Sequence, residues 1–185
     1  METTDFGNIT VPNKWEDVNL KQYQEIQKAR EENSDIIRII SILTDKKDDE
    51  IRSMPASFIS TIVQNLNFLG TPPKVEPSNK VDDFYIKTPD RLTFGEWLDA
   101  NNALQNDKYD YATVLAILCR RTDEEYNEHF IETMLDKRRD FFKNMPLTEI
   151  LAPVLFFSKY WTIYTLLSNV SSSQMSTKEE LTARK

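Results

Sequence analysis

Apolar residues recur at helical spacing along most of the chain, and capping signals mark where several of these runs begin. The clearest signal is Thr93, which Glu96 follows three residues later, with Leu92 and Trp97 as flanking apolar residues. A Thr-x-x-Glu box satisfies two backbone N–H donors that a helix start leaves without partners. We therefore predict a helix that begins directly after Thr93.

The same layout occurs earlier in the chain, where Asn19 and Gln22 stand as cap and partner. Each of these starts opens one helix. A second, apolar helix then follows, over residues 35–43 after the first start and 111–119 after the other. The pair Met54-Pro55 then recurs as Met145-Pro146, each before a further helix. Because these features recur in one order, we interpret the chain as two similar three-helix units from an internal duplication. The alternative is that amphipathic helices share such features in general.

The predicted fold class is mainly α, with a small β-ribbon formed by the N-terminus and residues 81–87. Four prolines interrupt the segment between the two units, so a helix cannot continue through it. In the second unit, Thr122 and Glu125 form a further capping box, which predicts one long amphipathic helix after it. The predicted organisation is an arm with an edge strand (1–18), a first helical unit (19–70), a Pro-rich linker (71–91), a second helical unit (92–170) and a polar tail (171–185).

Composition narrows the classes of function. The 185 residues carry a formal charge of −7, which disfavours a surface that neutralises nucleic-acid phosphates. Only three glycines are present, so a Gly-rich phosphate loop is not expected. The first eleven residues lack the basic and apolar regions of a secretory signal, and the single cysteine fits a reducing compartment.

Residues with catalytic or metal-binding chemistry are few. His129 is the only histidine and Cys119 the only cysteine, whereas a zinc site needs three or four ligands. Carboxylates cluster at helix starts, where they favour the helix dipole and remain solvated. We therefore expect no catalytic residues, no cofactor and no metal, although a small helical enzyme or a regulator of host proteins remains an alternative.

Residues 150–167 form the most apolar stretch of the chain. Its length alone is compatible with a membrane span, but Pro153, Ser158 and Lys159 interrupt it, so we expect no stable membrane insertion. Such a helix is buried either in the core of its own chain or against another subunit. Aromatic residues are enriched at protein interfaces, and those predicted here as interface residues are Phe156, Phe157, Tyr160, Trp161 and Tyr164.

Four segments, residues 15–26, 42–44, 84–86 and 92–99, together resemble a family of small proteins from tailed phages. The family occurs in phages of Bacteroidetes, including crAss-like phages, within the genes for virion and tail assembly. The resemblance covers about residues 9–160 and carries no catalytic signature. It implies a component of the portal–tail region or a factor that assists tail assembly.

The leading prediction is a non-enzymatic structural protein of a tailed bacteriophage, present in many copies in the portal–tail region or packaged in the virion. Its partners are expected to be other phage structural proteins, in a homo- or hetero-oligomer, with no nucleic acid. The expected location is the virion, and the host cytoplasm during assembly. The alternative is a cytoplasmic tail-assembly chaperone that binds exposed apolar segments transiently.

Overall fold

The structure, a computed structural model, describes residues 4–5 and 9–161 of the chain. It is mainly helical, as predicted. The helices are α1 Leu20–Glu31, α2 Ile36–Thr44, α3 Asp48–Arg52, α4 Ala56–Asn65, α5 Phe94–Asn106, α6 Tyr111–Leu118, α7 Glu128–Thr133, α8 Leu135–Asn144 and α9, residues 147–161. The strands are β1 Thr4–Asp5, β2 Thr10–Val11, β3 Lys80–Val81, β4 Phe84–Ile86 and β5 Cys119–Arg120.

Two of the three predicted capping boxes are confirmed. At the start of α1, Asn19 Oδ1 accepts from the backbone N–H of Gln22 at 2.8 Å, and Gln22 Oε1 accepts from that of Asn19 at 3.1 Å. At the start of α5, Thr93 Oγ1 accepts from the N–H of Glu96 at 3.3 Å, and Glu96 Oε2 accepts from that of Thr93 at 2.9 Å. Local sequence therefore fixes where these two helices begin.

The two predicted units share one hydrophobic core. The start of α1 joins the start of α9, because the N–H of Leu20 donates to the carbonyl of Met145 at 3.1 Å and that of Leu147 donates to Val18 at 2.8 Å. At the centre, α6 packs against α5 and α8. Every residue from Val114 to Cys119 is at most 2% exposed, as expected for a segment without a polar face.

The last helices of the two units differ in burial although their sequences match. Counted from the two Met-Pro pairs, Ile59 and Val63 of α4 correspond to Ile150 and Val154 of α9. The two residues of α9 are buried, whereas Ile59 is partly buried and Val63 is 37% exposed. The third pair, Leu66 directly after α4 and Phe157 of α9, is buried on both sides. The matched positions therefore share an apolar pattern but only in part a packing environment.

The predicted β-ribbon is wrong in its pairing. The N-terminal strand β2 pairs with β1, not with residues 81–87. Residues 80–86 instead form an antiparallel hairpin of β3 and β4. On its other side β4 pairs with β5, also antiparallel. The hairpin turns at Asp82, whose φ of 50° lies in the left-handed region that aspartate tolerates better than most residues. The strand β5 begins at Cys119, the residue at which the predicted helix 111–119 was expected to end.

The predicted long helix after Thr122 is also wrong. Asn127, not Thr122, caps the next helix, and Asn127 Oδ1 accepts from the N–H of Phe130 at 2.9 Å. The helical path then breaks at Met134, which separates α7 from α8. Instead of a helix start, the segment after Thr122 contains Glu124, whose carboxylate binds an arginine, as described below.

Replacing Thr93 with alanine is expected to lower the free energy of unfolding by about 1 kcal/mol, because the N–H of Glu96 loses its acceptor. Urea denaturation measures this change. The matched control is Thr61→Ala in the exposed part of α4, which should change stability by less than about 0.5 kcal/mol. Equal effects of the two substitutions would contradict a capping role for Thr93.

Candidate functional site

Four aromatic rings form a continuous row from the core to the surface. Phe157 of α9 lies in the core at 6% exposure, and its ring centroid is 5.1 Å from that of Trp161. Trp161 stacks on Trp97 of α5 at 6.4 Å with an interplanar angle of 24°. Trp97 stacks on Phe94 at 5.9 Å and 25°. We call Phe157, Trp161, Trp97 and Phe94 the aromatic row.

The outer end of the aromatic row is unusually exposed. Phe94 is 75% exposed, more than any other large hydrophobic residue that the structure describes. It is the first residue of α5, so the cap at Thr93 fixes its position. Leu98 lies one helical turn further on, on the same face, and is also exposed. This end of the row therefore presents apolar surface to solvent on a well-defined helix start.

The five predicted interface residues divide into different environments. Phe157 belongs to the core, and Trp161 is partly buried within the aromatic row. Phe156 packs against the core and contacts the exposed Tyr160, with ring centroids 4.5 Å apart. Tyr164 and the predicted tail 171–185 lie outside the described residues.

In the sequence, Phe94, Trp97 and Leu98 follow the Thr93 cap and are predicted only to supply apolar contacts at a helix start. Phe94 and Leu98 are four residues apart, so the sequence did indicate that they share a helix face. What the sequence did not provide was the contact between Trp97 and Trp161, which joins two helices far apart in the chain.

Behind the aromatic row, a buried carboxylate holds the start of α5. Glu96 is fully buried, and its Oε1 accepts from Lys87 Nζ at 2.7 Å and from an Arg120 guanidinium nitrogen at 3.4 Å. Its Oε2 accepts from the backbone N–H and the hydroxyl of Thr93. Buried charges are tolerated when they are paired and hydrogen-bonded. We call Glu96, Lys87 and Arg120 the ionic junction.

Arg120 connects the ionic junction to the sheet and to the following loop. It belongs to β5, and its guanidinium also donates to the carbonyls of Ala116 at 3.1 Å and Cys119 at 2.7 Å. The planar group lies over the rings of Tyr126 and Phe130, at 4.9 and 4.4 Å from their centroids. Such cation–π contacts let an arginine remain charged in an apolar environment.

A second buried arginine, Arg138 of α8, forms a bidentate pair with Glu124. The two distances are 2.8 and 2.6 Å, and the guanidinium lies 4.5 Å from the ring centroid of Phe84. Hydrogen bonds from Arg138 are the main cause that lowers the pKa of Glu124 from 4.5 to about 2. This pair fixes the loop before α7 against α8.

Tyr126 ties the same loop to α5. Its hydroxyl donates to Asp99 Oδ2 at 2.6 Å. Burial raises the pKa of Tyr126, and the hydrogen bond to Asp99 raises it further. The phenol therefore stays protonated and keeps this donor role at neutral pH.

The residues considered for chemistry are placed without a catalytic arrangement. His129 is exposed on α7, and Cys119 is fully buried in β5. Burial raises the pKa of the Cys119 thiol to about 12, so it stays protonated at neutral pH and lacks the thiolate that a nucleophile needs. Across residues 4–5 and 9–161, no group of three or more His, Cys, Asp or Glu residues is arranged to hold a metal ion.

Within the described part of the chain, no helix has both the length and the apolar character needed to cross a membrane. Comparisons with protein-family models, curated proteins and solved structures found no match.

The Glu124–Arg138 pair predicts a specific loss of stability in acid. Because the folded-state pKa of Glu124 lies below its ordinary value of 4.5, the pair stabilises the fold above that pH, and this contribution is lost as the pH falls towards about 2. In urea unfolding across this pH range, the free energy of unfolding should decline more steeply with falling pH for the wild type than for Glu124→Gln.

The control for this prediction is Glu132→Gln, an exposed glutamate of α7. It should retain the pH dependence of the wild type. If Glu124→Gln and the wild type lose stability in parallel, the pair does not contribute as described.

Proposed function

We propose that the chain is a non-enzymatic protein–protein interaction protein that docks through the outer end of the aromatic row. As the resemblance described above implies, we further propose that it is a structural component of a tailed bacteriophage. In this role it occurs in many copies, in the portal–tail region or packaged in the virion. Its partners are other structural proteins of the same particle.

The observation that carries this proposal is the exposure of Phe94 at the end of a stacked row. Single exposed hydrophobic residues are common on protein surfaces. Phe94 differs because its ring stacks on Trp97, which stacks on Trp161, so its position is defined before any partner binds. A preorganised aromatic anchor loses little side-chain entropy on binding.

The expected partner chemistry follows from this end of the row. An apolar pocket that covers the Phe94 ring gains about 2 kcal/mol from its burial. Leu98 extends the contact along α5. The polar residues Asp90 and Arg91 lie just before α5 and are exposed, which suits the rim of an interface.

Incorporation into phage particles tests the proposal. Mass spectrometry of purified particles is expected to detect the wild-type chain and to show a depletion of Phe94→Ser by about tenfold or more, the equivalent of 1.4 kcal/mol in binding. Phe94→Ser should still fold, because the one ring contact of Phe94 within the described residues, that with Trp97, is worth about 0.5–1.5 kcal/mol.

The matched control is Ile36→Ser, which changes another exposed apolar residue, at the start of α2. It should enter particles as the wild type does. Absence of the wild-type chain from mature particles contradicts a structural role and supports the assembly chaperone instead. Normal incorporation of Phe94→Ser contradicts docking through the aromatic row.

A further inference from the structure

A second surface feature, distinct from the aromatic row, is a cleft beside the three-stranded sheet. It has a volume of about 640 Å³ and lies between β4, the segment that leads from β4 to α5, and the residues that follow β5. Ligand sites for small molecules have volumes of about 300–1,000 Å³. The residues used in the argument are Asn79, Lys87, Asp90, Arg91, Arg121 and Thr122.

Two arginines, Arg91 and Arg121, line this cleft. Within the described residues, neither Arg91 nor Arg121 forms an ion pair within 4.0 Å. Arg121 is held in place, because its guanidinium lies 4.9 Å from the ring centroid of Phe84 and its backbone N–H donates to Glu124 at 2.9 Å. The Glu124 carboxylate itself is engaged by Arg138.

The cleft is positive although the chain as a whole is acidic. Lys87 and Arg120 also line it, so four cations and one carboxylate, that of Asp90, line the cleft. The buried Glu96 lies behind the lining and pairs with Lys87 and Arg120. The cations that line the cleft therefore outnumber its carboxylates. The formal charge of the whole chain is −7.

We propose that this cleft binds the phosphate group of a small molecule between Arg91 and Arg121. Arginine guanidinium groups match phosphate oxygens in a bidentate geometry. A phosphate monoester carries about −1.5 to −2 charge at neutral pH, a sign that suits the excess of cations at the cleft. Thr122 and Asn79 supply neutral donors at its edge.

The carboxylate of Asp90 repels an anionic ligand. A substitution that removes its charge should therefore change phosphate affinity in the direction opposite to an arginine substitution. A hydrogen bond from Thr88 is the first cause that lowers the pKa of Asp90, with Arg91 contributing, so the carboxylate stays charged at neutral pH. Its removal takes away a repulsive charge. Asp90→Asn is therefore expected to tighten phosphate binding, whereas Arg121→Gln weakens it.

Titration of the full chain with inorganic phosphate and with pyrophosphate, at constant ionic strength, tests the proposal by calorimetry. Saturable binding is expected for the wild type. Binding should be weaker by about tenfold in Arg121→Gln, which loses a charge-assisted contact. It should be several-fold tighter in Asp90→Asn. Tighter binding of pyrophosphate than of phosphate would indicate that the ligand carries a diphosphate.

The charge-matched control is Arg38→Gln, since Arg38 pairs with Asp48 outside the cleft and should leave phosphate binding unchanged. Circular dichroism confirms that each variant is folded. The proposal is overturned if neither probe binds saturably up to about 10 mM, well above an ordinary millimolar Kd. It is equally overturned if Asp90→Asn fails to tighten binding or if Arg38→Gln weakens it as much as Arg121→Gln does.

Discussion

The ionic junction at Glu96 is the interaction on which the rest of this structure depends. A fully buried carboxylate pairs there with Lys87 and Arg120, and it also completes the cap of α5. A buried ion pair is weak evidence for net stability, but loss of one partner leaves an uncompensated buried charge. The junction therefore determines how α5 sits on the sheet.

One helical turn of α5 serves both the interior and the surface. Glu96 points to the ionic junction, Trp97 contacts α9, and Phe94 is presented to solvent. These directions follow from the helix, in which successive side chains are about 100° apart. The same junction also places Lys87 and Arg120 at the cleft. The proposed docking face and the proposed phosphate site thus rely on one buried contact.

The sequence predicted what depends on neighbouring residues and missed what depends on distant ones. The capping boxes at Asn19 and Thr93 are local signals, and both are confirmed. The strand at Cys119 was missed, because its extended conformation is set by pairing with β4, far away in the chain. The burial of Arg120 was missed for the same reason, since its carboxylate and aromatic partners lie on other elements. Phe157 was predicted as an interface residue but lies in the core, because aromatic residues are common in cores and in interfaces.

A double-mutant cycle with Glu96→Gln and Arg120→Met tests the central claim most directly. Each single substitution removes one partner of a buried pair and should lower the free energy of unfolding by about 3 kcal/mol. The double variant should lose less than the sum, with a coupling energy of at least about 1 kcal/mol. Effects that add to within about 0.5 kcal/mol would contradict the account, because the two side chains would then act independently.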